Sequence, residues 1–387
     1  MIDREIDSTV LRLAGQFPVL AVTGPRQSGK STLVKKIFPD KRYITFDDRD
    51  MRELAKSNPM DFLLAFPDGL IIDEAQKVPE IFDAVKYYAD NDPYAFGKYI
   101  LTGSSQFRLK ENIESLSGRI GLVRLLPLSI NELNESGKLK ENAFDMAFSG
   151  FYPPFYDDQK TLYREDWFDN YLDTYLDIDV RDQIRDSNIS TFKKFIQICA
   201  LYSGQTLNME SIAKAVEVSA VTVKSWLSIL QASYIIFFLE QDTNSLGKNL
   251  VKAPKLYFTD TGLLCNLLRI DSYQELILSN YKGAVIETMA VSELLKQRYN
   301  KGRKSNLTYF RDKEGFEVDT IADWKKTFAI EVKSDSISNK KLADNVRKYV
   351  QLRGDDTKAM VFYLGDTTVK TDSVDYISWK EWGNITN

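Results

Sequence analysis

Gly24-Pro25-Arg26-Gln27-Ser28-Gly29-Lys30-Ser31 follows the apolar run Phe17-Pro-Val-Leu-Ala-Val-Thr23 and leads into Thr32-Leu-Val-Lys-Lys-Ile37. An apolar strand, a glycine-bracketed loop and a helix start, in that order, make a phosphate cradle. Each residue type has a mechanical reason. Glycines let successive backbone N–H groups curl around an anion, the lysine reaches the terminal phosphates, and the serine hydroxyl ligates Mg²⁺. The helix that follows adds the positive end of its dipole. The expected phosphate-binding set is Gly24, Pro25, Arg26, Gln27, Ser28, Gly29, Lys30, Ser31 and Thr32, with Lys30 also acting on the reacting phosphate and Ser31 on the metal.

Working outward, residues 16 to 130 alternate short apolar runs with helical periodicity, the pattern of an α/β fold with a parallel sheet covered on both faces. The expected strands are Val19–Val22, Tyr43–Phe46, Gly69–Ile72, Lys98–Leu101 and a weaker Val123–Leu126. The third runs into Asp73-Glu74. Residues at the carboxyl ends of such strands face the ligand crevice, so Asp73 is placed to support Mg²⁺ and Glu74 to orient and polarise the attacking water. The fourth runs into Thr102-Gly-Ser-Ser105, where Thr102, Ser104 and Ser105 are unranked candidates to hold a water near the γ-phosphate. Arg119, in Ser117-Gly-Arg119, offers a cation to the transition state, in cis or across the interface of a homo-oligomer.

Composition bounds the remaining chemistry. A chain of 387 residues exceeds one ordinary core. With 51 basic against 55 acidic side chains it has no overall excess for binding polyanions, so any nucleic-acid surface must be local. No histidine is present, which excludes histidine nucleophile pairs, histidine-ligated zinc and histidine acid–base work. Carboxylates, lysines, backbone donors and oxygen-liking metals are left. The two cysteines, Cys199 and Cys265, build no disulfide framework, and the first residues lack an apolar leader. No uncharged apolar run approaches the ~20 residues that span a bilayer. The expected compartment is the cytoplasm, without a membrane anchor.

The middle of the chain opens with a polar stretch and the turn Phe148-Ser-Gly-Phe-Tyr-Pro-Pro-Phe155. From Trp167 to Val180 apolar and aromatic residues recur at helical spacing, a face expected to pack against the first domain. Between 192 and 258 the order is helix, helix Glu210–Val216, turn, helix Ala220–Ala232, then strands Tyr234–Leu239 and Lys255–Phe258 around Asn244-Ser-Leu-Gly247. That is the order of a winged helix-turn-helix. A DNA reader would present Ser219, Thr222, Lys224 and Ser225 at the start of its second helix, although one lysine among hydroxyls is a thin phosphate footprint. The alternative is a packing module.

The last third holds the helical stretch Lys282–Leu295, then Leu307–Phe310, Gly315-Phe-Glu-Val-Asp319 and Phe328-Ala-Ile-Glu-Val-Lys333. On a strand, Glu331 and Lys333 share a face. With Asp319 they form a set in which Asp319 and Glu331 can hold Mg²⁺ or Mn²⁺ while Lys333 orients water, the need of a phosphodiester hydrolase. Glu287 can add a carboxylate. Alternating charges on an exposed strand are the plainer reading of so short a motif.

Taken with Asp-Glu-Ala-Gln at 73–76, Leu-Thr-Gly-Ser-Ser at 101–105, Pro-Leu-Ser at 127–129 and Lys-Leu-Tyr-Phe-Thr-Asp-Thr-Gly at 255–262, nearly the whole chain resembles a bacterial and archaeal family of AAA-type ATPases. In that family the P-loop domain precedes a winged helix and a carboxyl-terminal domain resembling restriction endonucleases, whose metal and lysine positions fall on Asp319, Glu331 and Lys333. The resemblance implies a P-loop ATPase domain (1–135), a helical linker (136–191), a winged-helix module (192–262) and a nuclease-like α/β domain (263–387). It implies ATP and Mg²⁺ as cofactors and DNA as a partner. The alternative is a nucleotide-dependent switch whose tail binds a protein and cuts nothing.

Overall fold

The computed structural model describes residues 2–104, 116–176, 180, 184, 188–242, 253–336, 340–354 and 356–385. Ser105 and the turn at 244–247 lie outside the described residues. The first domain is built on the parallel strands β1 (Val19–Thr23), β2 (Arg42–Thr45), β3 (Leu70–Asp73), β4 (Tyr99–Gly103) and β5 (Ile120–Arg124), in the order β2-β3-β4-β1-β5. Strand side chains alternate between the sheet's faces, and the core divides accordingly. Leu20, Val22, Ile71, Ile100 and Val123 pack under helices Asp7–Ala14 and Lys30–Ile37, while Val19, Leu70, Ile72 and Leu101 pack under Glu80–Asn91 and its neighbours. The fifth strand starts three residues before the expected Val123 and ends at Arg124. Leu125 and Leu126 instead begin the connection to the rest of the chain.

The remaining strands form one mixed sheet. Its order is β13-β14-β12-β11-β10-β9-β7-β8-β6, running through β6 (Gln205–Thr206), β7 (Ile236–Gln241), β8 (Lys255–Phe258), β9 (Leu307–Arg311), β10 (Glu317–Asp323), β11 (Thr327–Val332), β12 (Lys358–Tyr363), β13 (Val369–Lys370) and β14 (Asp375–Ser378). Helices Ile189–Leu201, Met209–Val216 and Ala220–Ala232 precede the β7–β8 pair, and β6 closes on β8. The turn between the second and third of these helices is made by Glu217 in the left-handed region and by the Ser219 cap, whose hydroxyl accepts from Thr222 N at 3.0 Å. Strand β7 also pairs parallel with β9 through Glu240 and Gln241, so both halves of this region share a sheet. The buried helix Lys282–Asn300 packs alongside, in a single apolar core that runs from Leu126 to Ile385.

Candidate nucleotide site and carboxylate cluster

The cradle lies where the sequence places it. Gly24 is required at its first position: a Cβ there would stand 2.0 Å from the Leu125 carbonyl oxygen. Gly29, with φ of 95°, turns the loop into the helix Lys30–Ile37 in a region few side chains adopt. Lys30 is buried and its ammonium donates to the Gly24 and Pro25 carbonyls at 3.0 and 2.8 Å, so it is held inside the loop.

Asp73 gathers the hydroxyls. Its Oδ2 accepts from Ser31 Oγ at 2.8 Å and from the Tyr43 hydroxyl, and its Oδ1 accepts from Thr102 Oγ1. A hydroxyl and a carboxylate from opposite sides of the crevice make an oxygen donor pair that suits Mg²⁺. Burial, then the hydrogen bond to Asp73, raises the Tyr43 pKa, keeping the phenol a donor. Glu74 follows in a left-handed conformation (φ 54°, ψ 41°) and accepts from Gln76 Nε2. Burial raises its pKa against the opposing pull of Lys30 and Arg26.

The polar end of β4 separates into two kinds of hydroxyl. Thr102 is committed to Asp73. Ser104 is buried, lines the cleft, and among the described residues its Oγ has no hydrogen-bond partner. Arg119 does not join them. It stands just before β5, at the edge of the sheet opposite the cradle, and pairs there with Asp90. It does not reach the cradle of its own chain.

The cradle forms one wall of a cleft of about 890 Å³ lined also by Arg4, Glu74, Pro153, Trp167 and Tyr171. The sequence reading missed Arg4. Its guanidinium donates to Ser28 O at 2.9 Å, Leu126 O at 2.7 Å and Glu132 Oε1 at 3.0 Å, tying the loop to the chain's exit from the sheet. It also treated Trp167 and Tyr171 as packing residues only. Their rings stack at 5.2 Å in the helix Arg164–Tyr175, and both line the cleft.

In the second sheet, Asp319 Oδ2 accepts from Val332 N at 2.8 Å and Lys333 Nζ pairs with Glu331 Oε1 at 2.7 Å. Burial, then Glu287 and Glu331, holds the Asp319 pKa well above the usual carboxylate range, and burial raises that of Glu331 against Lys333. A second lysine, absent from the sequence reading, enters the same space: Lys255 Nζ lies 3.0 Å from Glu287 Oε1 and 2.5 Å from Glu317 Oε1. Burial opposes its charge, yet Glu287 and the neighbouring acids hold its pKa well above the ordinary lysine value. Asp319 and Glu331 converge with Lys333, as expected from their spacing. Among the described residues no group of three or more Asp, Glu, Cys or His side chains is placed to hold a metal. Lysine ammonium groups pair with Glu331 Oε1, Glu287 Oε1 and Glu317 Oε1.

Comparison with known proteins divides the chain in three. Residues 16–134 match a family model described as an AAA domain. The first domain has the fold of a P-loop ATPase domain. Residues 140–274 and 282–382 each match a domain of unknown function, DUF8612 and DUF4143. Uncharacterized proteins of Mycobacterium tuberculosis (Rv2008c) and Mycobacterium bovis (Mb2031c) are each 27% identical to this chain over 341 residues, covering 86% of it and 74% of their own length. Among solved structures, the Walker-type ATPase PABY2304 of Pyrococcus abyssi is similar at a TM-score of 0.45 and 15% identity, over 69% of this chain and 96% of that one. No helix among the described residues is long and apolar enough to cross a membrane.

Proposed function

We propose that the chain is a Mg²⁺-dependent ATPase whose turnover moves the helix-turn-helix and the carboxyl-terminal half against the first domain, and that it acts on DNA. The observation that carries hydrolysis is the convergence of Lys30, the Ser31–Asp73 pair, Glu74 and the unpartnered Ser104 hydroxyl on one cleft. With nucleotide bound, Ser31 and Asp73 would hold Mg²⁺, which would neutralise charge on the phosphates. Lys30 would leave its carbonyls for the terminal phosphates, Glu74 would accept a proton from water, and Ser104 would orient that water. Arg119, if it acts on a phosphate, acts across an interface between copies.

DNA as the target rests on the order helix, β6, helix, helix, β7, β8, which is that of a winged helix, and on the exposure of Lys224 and Ser225 on its third helix, Ala220–Ala232. The carboxyl-terminal half has the Asp319, Glu331 and Lys333 set of a nuclease-like domain. The Lys255 ammonium among its carboxylates favours a second reading, a tail that binds without cutting. One preparation assayed for ATP turnover and DNA nicking, with and without DNA and with Mg²⁺ or Mn²⁺, separates the two. Lys30→Ala should lose turnover, and nicking that disappears in Glu331→Ala would establish the cutting tail. Absence of turnover under every condition would overturn the ATPase reading.

A further inference from the structure

The carboxylate cluster already contains a cation. Lys255 is the first residue of β8, its side chain is 2% exposed, and its Nζ lies 3.0 Å from Glu287, 2.5 Å from Glu317 and 3.8 Å from Asp319. These acids come from the helix Lys282–Asn300 and from β10. A charge buried this deeply is tolerated only when paired and hydrogen-bonded. Glu287 Oε1 also accepts from the Tyr257 hydroxyl at 2.6 Å, which fixes the carboxylate in place. Across the cluster, Glu331 is buried with Oε1 held by Lys333, while its Oε2 has no hydrogen-bond partner among the described residues. That orphaned oxygen is an independent sign of a site whose demand for positive charge is only partly met.

We infer that Lys255 is the resident cation of this cluster, that its ammonium takes the place a divalent ion would need, and that a metal enters only when β8 is displaced. An ammonium and a divalent ion drawn to the same oxygens repel each other and compete. The register of β8, which pairs Lys255 with Leu239 on one side and Thr206 on the other, keeps its side chain on the cluster's face of the sheet. A slip of one residue would turn the side chain to the other face of the sheet. β8 completes the hairpin that follows the helix-turn-helix, so a rearrangement of that module is the motion that could release it. The inference rests on the cluster alone and stands or falls independently of the ATPase reading.

The test is Mn²⁺ binding by electron paramagnetic resonance on the full, nucleotide-free chain, with Asp73→Asn in every sample to silence the cradle. Lys255→Met should bind one Mn²⁺ per chain about tenfold or more tightly than the Lys255 parent. Adding Glu331→Gln should abolish the gain, and Lys255→Arg should behave as the parent. If Lys255→Met does not fold in metal-free buffer, recovery of its circular dichroism on adding Mn²⁺ supports the inference, and failure to recover counts against it. The parent decides the matter without that variant. Tight Mn²⁺ binding that Glu331→Gln removes while Lys255 is present would overturn the inference, as would a folded Lys255→Met with no gain.

Discussion

Glu74 stands one residue beyond β3 with positive φ, a conformation that costs about 1 kcal/mol or more for a residue with a Cβ. The turn lifts its carboxylate out of the strand and into the cleft, where burial raises its pKa and Lys30 and Arg26 pull it back. A base must be ionised to accept a proton. As pH falls through the raised value the carboxylate protonates and turnover is lost, so the acidic limb of kcat should lie above the ordinary glutamate value of 4.5. Arg26→Ala, which removes a stabilising cation, should move that limb further up. A limb at or below 4.5, or one that moves down in the variant, contradicts the assignment. Glu74→Gln should keep nucleotide binding and lower kcat about 10²–10⁴-fold. Arg4 invites a stability prediction instead. It and Glu132 are buried partners, with side chains 8% and 1% exposed, and Arg4→Ala strands the acid at a cost of about 3 kcal/mol. Chemical denaturation should show that loss, together with weaker nucleotide binding as Ser28 is released. The cradle and Asp73-Glu74 were legible because backbone geometry and phosphate chemistry confine them to one short pattern. Arg4 was not, because its partners lie 24, 122 and 128 positions away and no local spacing marks them.

At the scale of elements, the helix pair Met209–Val216 and Ala220–Ala232 was legible for a similar local reason: an Asn208 cap, a Ser219 cap and a clean apolar period. Their inner face is aromatic. Trp226 packs edge-on against Phe192 at 5.2 Å and Phe195 at 5.3 Å, and is 3% exposed. Trp226→Ala should cost about 3–5 kcal/mol, read as a lowered unfolding midpoint with unchanged denaturant slope. The outer face leaves Val221, Lys224, Ser225 and Ser228 to solvent. If that face meets a DNA backbone, Lys224→Gln should weaken binding evenly across sequences and reduce the salt slope by about one. An unchanged slope would remove this helix from the interface. The pairing of β7 with β9 was not legible, since periodicity reveals which face of a strand is buried and not which strand lies beside it. For the same reason Lys255 read as part of an ordinary buried strand, although its carboxylate partners arrive from elements 32 to 64 residues later.

At the scale of the whole molecule, the helix Lys282–Asn300 joins the two sites. Near its start Glu287 enters the carboxylate cluster. Further along, Glu293 accepts from Ile130 N at 2.8 Å, Lys296 donates to Leu128 O at 2.8 Å, and Asn300 donates to Glu5 at 2.9 Å, all on the chain's exit from the first sheet or on its amino-terminal segment. A second link runs from Thr23, beside the cradle, whose hydroxyl shares a hydrogen bond of 2.6 Å with that of Tyr234, in the turn between the Ala220–Ala232 helix and β7. These contacts tie the cradle's end of the first sheet to the helix Lys282–Asn300 and to the turn before β7. They also make the regions after residue 126 interdependent. The helix contributes Val285, Ile286, Met289, Ala290, Val291, Leu294 and Leu295 to the core they share, and β9 covers the edge of β7. A chain ended at residue 262 would keep the helix-turn-helix but lose that helix and expose both the core and a strand edge. It should therefore lack native near-ultraviolet circular dichroism and a sharp melting transition, whereas the full chain shows both. A cooperative melt in the shortened chain would mean that the helix-turn-helix region folds without the shared core.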